Sequence, residues 1–371
     1  MEVRRVERVV WDIVSKDAGS FHFASIYDKV FVKDISKIHV AEAIGMMRRV
    51  TGKRSGMRLV IAVTALLCVM FAAGSVFAAP KQLTLATGGT AGTYYPLGGA
   101  IAQIISTKTG LVNITAQSTG ASVENMNLIG AGDVDIAIVQ NDIAHYAYNG
   151  IEFFKTKNAN FSAMARIYPE IIQTVTRKDS PIDSVKDFKG KKISVGAPGS
   201  GNEANVRQIT DVFGMTYKDF EAHFLSYAET GDHFKDKLID AFMFTTGAPN
   251  SAIQDIATLH PLKFVEIKGA DRDLLMKKYP FFAAEAIPAN TYKGQDKPVE
   301  TVAVQAILIV ANNLPEDIVY AMTKALFENK KEIAQAHHKG NSIDPKRALD
   351  GITVPVHPGA LKYYKEIGLV K

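Results

Sequence analysis

A short apolar run, a glycine-rich turn and a helical stretch recur in that order along this chain. No other feature limits the fold as much. LTLAT (83–87) leads through Gly88, Gly89, Thr90, Ala91 and Gly92 into a predicted helix over 95–107. VNITA (112–116) leads through Gln117, Ser118, Thr119 and Gly120 into one over 122–130, and DIAIV (135–139) leads through Gln140, Asn141 and Asp142 into another. Further on, KISVG (192–196) precedes Ala197, Pro198, Gly199, Ser200 and Gly201 and a predicted helix over 203–213. AFMFTT (241–246) precedes Gly247, Ala248, Pro249 and Asn250 and a helix over 251–257. Strands that alternate with helices build parallel sheets of the α/β class.

The repeats fall into two groups. Between them an apolar strand, IIQTV, gives way to Arg177, Lys178, Asp179, Ser180 and Pro181. A second long apolar run, TVAVQAILIV (301–310), follows the second group. The simplest topology has the chain leave one lobe near 175, build the other, and return near 300. That predicts lobe one over 79–175 plus 300–371, lobe two over 176–299, and a cleft crossed by two hinge segments.

The front end reads as an address. Lys53, Arg54 and Arg58 precede a charge-free run over 59–79 that opens LVIAVTALLCVMF and closes on small residues. That is the order of a secretory signal peptide. The expected signal covers 57–78 with cleavage after Ala78, because a cut after Ala79 would leave Pro80 first. A retained membrane anchor is the alternative, but the strongly apolar part is short for a span. Residues 1–56 lie upstream of a complete signal, as expected for a start site assigned too early; the alternative is a genuine N-terminal extension. The sole cysteine, Cys68, lies inside the signal, so the exported part has none, as suits an oxidising compartment.

Charge excludes one function class. Residues 1–78 hold 12 Lys+Arg against 7 Asp+Glu, and the remainder carries 31 of each. A nucleic-acid partner, which needs a basic footprint, is therefore not expected. Enzyme signatures fail at their working residues. Gly196–Gly201 has the glycine spacing of a phosphate-binding loop, yet Asn202 and Glu203 stand where Lys and Ser/Thr are required. No G-x-G-x-x-G follows the first strand, and Ser200 lies in P-G-S-G-N rather than in a nucleophile elbow. His337 and His338 are adjacent and point different ways, so no metal site is predicted. No catalytic residue and no cofactor are expected.

What remains is binding chemistry. In parallel sheets, ligands sit beyond the carboxyl ends of the strands, where helix N-termini offer free N–H groups to anions. Three Gly/Ser/Thr turns, 88–93, 118–122 and 199–202, fit a small carboxylate if they line one cleft. Helix capping alone also explains any single turn. Tyr94 and Tyr95 open the first helix, and Tyr168-Pro169-Glu170 precedes the crossing; each is a candidate for ligand contact or for packing. Arg166 and Arg177 lie nearest the crossing and are read as partners in surface or interlobe ion pairs, with a ligand carboxylate as the alternative partner.

Several blocks resemble a known family: TGGTAGTYYPLGGAIA (87–102), STGASVENMNLIGAGDVDIAIVQND (118–142), YPEIIQTVTR (168–177), FKGKKISVGAPGSGNEA (188–204), LIDAFMFTTGAPNSAI (238–253) and VPVHPGALKYYKEIGL (354–369). Together they are similar to the TAXI family of solute-binding proteins, which serve TRAP transporters. The resemblance implies a two-lobed α/β periplasmic-binding-protein fold of type II, a monomeric receptor that closes on its solute, and docking on a TRAP membrane permease driven by an ion gradient. It implies solutes such as glutamate, glutamine or related dicarboxylates. The expected ligand contacts are Gly89, Thr90, Tyr94, Ser118, Thr119, Gln140 and Asn141 from lobe one, and Ser200, Gly201, Asn202 and Gly247 from lobe two. Asn202 replaces the threonine usual in that turn, and Lys237-Leu238 replace a usual Gly-Thr. Truncating Asn202 to alanine is expected to weaken binding without unfolding the protein. A ligand sensor for a membrane signalling protein, or an enzyme on the same fold, are the alternatives.

Overall fold

The computed structural model describes residues 79–371; the extension at 1–56 and the signal at 57–78 lie outside the described residues. The chain runs β1 (Lys81–Ala86), α1 (Tyr94–Thr109), β2 (Val112–Gln117), α2 (Ser122–Ala131), β3 (Ile136–Gln140), α3 (Asn141–Asn149) and β4 (Phe161–Arg177). It continues through β5 (Lys192–Ser194), α4 (Gly201–Val212), β6 (Glu221–His223), α5 (Tyr227–Lys235), β7 (Ala241–Thr246), α6 (Ser251–Leu259), β8 (Leu262–Val265), α7 (Gly269–Lys278) and β9 (Ala283–Ile287). The last elements are β10 (Val299–Ala311), α8 (Glu316–Glu328), α9 (Lys330–Ala336) and α10 (Pro358–Glu366).

The strands order as β2-β1-β3-β10-β4-β7-β5-β6, with β8 added to β4 and β9 to β10. The outer triplets β2-β1-β3 and β6-β5-β7 are parallel, while β4 and β10 run antiparallel to their neighbours. The architecture is thus α/β with two halves, each a mostly parallel sheet flanked by helices. Each half packs apolar clusters on its sheet, such as Leu85, Ile101, Ile138 and Leu326 in the first and Ile193, Ile209, Met243 and Leu275 in the second.

The two long strands join the halves. β4 pairs with β10 over Phe161–Ile171 and with β7 over Ile171–Thr176, so it changes partners in mid-strand. β10 does the same, meeting β9 over its first residues and β3 over its last. Pro169, which donates no N–H, stands at this exchange, a place where the ladder tolerates it. The sequence reading placed a strand only at IIQTV and missed the ten residues before it, because a proline inside a run argues against a central strand. β6, β8 and β9 also escaped it; at three to five residues they carry too little alternation to detect.

Local signals set the helix ends. α1, α2 and α3 each stop on a glycine in the left-handed region: Gly110, Gly132 and Gly150, at φ 61°, 82° and 66°. There a side chain would clash with the following carbonyl. Lys237, after α5, adopts φ 61° at the position where the resembled family usually has glycine. This chain therefore carries the strain of a lysine there.

Candidate functional site

Between the halves lies a cavity of about 300 Å³. Its wall comes from the turns after β1, β2 and β5, the end of β7, and the point where β4 changes partners. Four helix N-termini meet it: α1 at Thr93-Tyr94, α2 at Ala121-Ser122, α4 at Ser200–Asn202 and α5 at Ser226–Ala228. The first turn of a helix has N–H groups with no intrahelical partner. At α4 and α5 the serines Ser200 and Ser226 accept from the backbone N–H of Glu203 and Glu229. At α1 and α2 no side chain caps the helix. Ala121, the residue before α2, is held at φ 75°, where a non-glycine residue is strained by roughly 1–3 kcal/mol. Strain of this kind persists only where surrounding contacts enforce it, and here it presents an uncapped N-terminus to the cavity.

Of the residues expected from sequence, Gly89, Thr90, Tyr94, Ser118, Thr119, Gln140, Ser200, Gly201 and Asn202 line this cavity. Asn141 and Gly247 do not. Asn141 is buried behind the wall, donating to Gly351 O at 3.0 Å and accepting from Gln305 N at 3.0 Å, so it ties the C-terminal segment to β10. Gly247 turns its amide to Thr93 Oγ1 at 3.2 Å, outside the lining. The adjacent Tyr95 is exposed and off the wall. Arg166 and Arg177 also lie elsewhere. Arg166 is buried and donates to Gln305 Oε1 at 2.8 Å and Ser342 O; Arg177 donates to Ile239 O and Phe234 O and stacks on the Phe234 ring. Both hold carbonyl or amide oxygens rather than the ion pairs read from sequence.

Lining the cavity does not leave a side chain free. Ser118 donates to Gly88 O, and Thr119 donates to Asn125 Oδ1 at 2.6 Å, so these hydroxyls build their own loops. Asn202 is more fully committed. Its Nδ2 donates to Val195 O at 2.9 Å and Met243 O at 3.0 Å, while Oδ1 accepts from Thr245 N at 2.5 Å and from the Tyr227 hydroxyl. It staples β5, β7 and α5 beneath the cavity, so its truncation is expected to cost stability as well as any solute affinity.

Other side chains in the wall remain without partners among the described residues. Gln140 Oε1, the Tyr168 hydroxyl and Thr245 Oγ1 are buried and unsatisfied, although buried polar groups are normally paired. Tyr168 and Glu170 share one face of β4, two residues apart, and both reach the cavity. Glu170 accepts from the Tyr94 hydroxyl at 2.5 Å. Burial pushes its carboxyl up to about 8; the Tyr94 hydrogen bond opposes this and the Asp142 charge adds to it. The same burial drives the Tyr94, Tyr168 and Tyr227 hydroxyls well above the ordinary tyrosine range. Among the described residues, no Lys, Arg or His stands in the wall. Tyr168 and Glu170 were visible in the sequence only as residues near the crossing. The alternation that aims them is that of the long strand missed there.

The halves touch on both sides of the cavity. On one side the Thr93 and Thr246 hydroxyls are 3.0 Å apart, and Asn250 Nδ2 donates to Ala91 O at 3.1 Å. On the other, Asn205 Nδ2 of α4 donates to Asp142 Oδ2 of α3 at 2.9 Å, and Gln208 Nε2 donates to the Tyr146 hydroxyl at 2.9 Å. Asp142 Oδ1 and Asn205 Oδ1 are both buried acceptors without a donor. A proton on Asp142 would supply one, and burial does push this carboxyl from 3.8 up to about 6.

The sign follows from the raised value. A carboxyl that holds its proton more tightly when folded adds stability as pH falls through 6 and loses it as pH rises. Asp142→Asn, which offers an amide donor at every pH, should raise the thermal midpoint at pH 8 and match wild type only once pH falls below the unfolded value of 3.8. The gain at pH 8 is on the order of 3 kcal/mol. Equal midpoints for the two proteins at pH 8 would show that Asp142 carries no such linkage.

Residues 85–368 match the model of the family described as NMT1-like. Among solved structures, the chain is similar to a putative L-cystine ABC transporter from Listeria monocytogenes, at 15% identity over 70% of this chain and 95% of that one, with a TM-score of 0.46. The periplasmic aliphatic sulphonate binding protein SsuA from Escherichia coli matches at 12% identity over 77% of this chain and 83% of that one, TM-score 0.42. The GluR0 ligand-binding core from Nostoc punctiforme, in complex with L-glutamate, matches at 15% identity over 70% of this chain and all (100%) of that one, TM-score 0.44.

Proposed function

We propose that this chain, which belongs to the NMT1-like family, is a periplasmic solute receptor that captures a small carboxylate-bearing solute and delivers it to a membrane permease. The observation that carries the reading is the cavity between the halves, with helix N-termini from both and the helices of the first half uncapped. Such termini bind anionic groups without a cationic side chain, through N–H groups and the positive end of the helix dipole. Among the described residues the wall holds no His, Cys, Lys or Arg, and no familiar nucleophile-and-base pair is assembled there. That favours a receptor over an enzyme.

In this reading the bodies that move are 79–175 with 300–371 against 176–299, as in type II periplasmic binding proteins. β4 and β10 flex where they exchange partners. Only a solute that touches both halves favours the closed arrangement, because an equilibrium shifts by differential affinity alone. The permease is proposed to be of the TRAP type, on the strength of the sequence blocks that resemble TAXI proteins.

A thermal-shift screen tests the reading, with the protein unfolded and refolded beforehand to strip any solute carried through purification. The panel is glutamate, glutamine, aspartate, 2-oxoglutarate, succinate and neutral amino acids. One acid should raise the midpoint, with an increment that grows with the logarithm of its concentration. A flat response to every member would remove the case for a carboxylate solute.

A further inference from the structure

One acid–amide pair crosses the seam between the halves. Asn205 Nδ2 of α4 donates to Asp142 Oδ2 of α3 at 2.9 Å. The second oxygen of each group, Asp142 Oδ1 and Asn205 Oδ1, is buried and has no donor. A carboxylic acid and a primary amide pair through two hydrogen bonds: the amide N–H meets one carboxyl oxygen, and the acid O–H meets the amide oxygen. The first of these bonds is present, and the two orphaned oxygens are those of the second. Neither residue lines the cavity, so a solute does not complete the pair. Asn205 Nδ2 also donates to Gln208 Oε1 at 3.0 Å, and the Gln208 amide in turn holds the Tyr146 hydroxyl of α3 at 2.9 Å.

Resting on the receptor reading, we propose that this pair is a proton-gated latch: with a proton on Asp142 it holds the halves closed on the solute, and without that proton it resists closure. Unprotonated, closing buries a carboxylate beside an amide oxygen that it cannot bond, an unpaired charge out of water. Protonated, the same closing makes both hydrogen bonds and buries no charge. Opening parts α4 from α3 and returns both groups to water. The preference for the proton therefore belongs to the closed arrangement and not to either half alone. Acid strengthens solute capture, and a rise in pH loosens it.

Among the described residues, no cation answers Asp142. On α3 itself Tyr146 is neutral, and His145 is turned to the Thr353 hydroxyl. On α4, Arg207 is taken up by Glu203, and Asp211 by Lys278 and Tyr279. α2 brings only Glu124, which is exposed and accepts from Gly120 N. β3 has no titratable residue, and β10 has only Glu300, which pairs with Arg272. From β4 comes Glu170, a like charge. Burial, the largest influence on the Asp142 carboxyl, pushes it from 3.8 up to about 6. Closing thus takes up a proton between those values. The closing constant rises about tenfold for each pH unit lost through that window and is level above it. The open arrangement predominates in the empty receptor on this reading, so every gain in closing appears in solute affinity.

The experiment sets the wild-type protein beside Asp142→Asn, whose amide supplies the missing donor at every pH. Glutamate, 2-oxoglutarate and succinate are titrated into both stripped proteins by calorimetry at pH 8 and pH 5. For a probe that binds, the variant should be about 100-fold tighter at pH 8, and that ratio should fall about tenfold by pH 5. Glu170, whose carboxyl burial also pushes up, titrates in both proteins and cancels in the ratio. Closure is read without solute as well. The Thr93 and Thr246 hydroxyls face each other across the halves at 3.0 Å, and residues 79–371 hold no cysteine. With Thr93→Cys and Thr246→Cys in both backgrounds and diamide as oxidant, the disulfide should form at least about tenfold faster at pH 8 when Asp142→Asn is present. If that variant fails to fold, carbon NMR of the Asp142 carboxyl decides, with a midpoint near 6 in the disulfide-closed protein and near 3.8 in the reduced one. An affinity ratio that stays constant between pH 8 and pH 5, equal trapping rates, or one Asp142 midpoint in both forms overturns the latch. A probe that binds in that case leaves the receptor reading standing. Silence from every probe counts against the carboxylate solute alone, and the trapping rates still decide the latch.

Discussion

Replacing Asn202 with alanine should unfold this protein more readily by roughly 3–5 kcal/mol, read as a shift in the urea midpoint. The substitution orphans Val195 O, Met243 O and Thr245 N in one stroke, all inside the second half. Each buried group left without its partner costs about 1–3 kcal/mol. Against a total stability of about 5–15 kcal/mol, that is a severe loss for one side chain at a cavity wall. Asn202→Asp should be as damaging, because its carboxylate would face two carbonyl oxygens. A variant that keeps the wild-type midpoint and loses only solute affinity would show that Asn202 serves the solute and not the scaffold.

Gly201→Leu should have the opposite signature: affinity for the solute falls at least about 100-fold, or about 2.7 kcal/mol, while the midpoint moves little. A Cβ at this position would lie 2.2 Å from Gln140 Oε1, which belongs to the other half. Gly201 begins α4 with ordinary backbone angles, so the larger side chain strains no dihedral; the clash exists only while the halves are together. Gln140 is buried in the cavity wall, so moving aside would push its side chain into the space a solute needs. Small-angle scattering on the variant should show no compaction when solute is added. Compaction equal to wild type, with unchanged affinity, would mean that the Gln140 side chain is not held where the closed arrangement places it.

These predictions divide the residues in a way their sequence positions do not. Ser118, Thr119, Ser200 and Asn202 are all small polar residues in glycine-rich turns, and the sequence treats them alike. In the folded chain their side chains hold loops and strands together, while the backbone around them faces the cavity. Glu170 attracted little notice beside them. A single carboxylate after a proline carries no periodic signal, and its placement depends on β4 pairing with β10 more than a hundred residues later in the chain.

The repeated order of apolar run, glycine turn and helix is local, and local physics was enough to read it. Apolar spacing marks strands and helices, and glycine marks the turns that end them. From that order alone came the α/β class, the two groups of strands and three glycine-rich turns, each of which supplies residues to the cavity wall. The direction of each side chain within the wall was not local. Whether a hydroxyl meets a backbone carbonyl or a solute depends on which loop packs beside it. Whether a strand residue faces the cavity depends on the register of a partner strand. The three unpartnered polar atoms and the buried carboxylate of the wall exist as a set only because β4 and β10 bring the two halves together. Those contacts are made at long range, and no spacing along the chain encodes them.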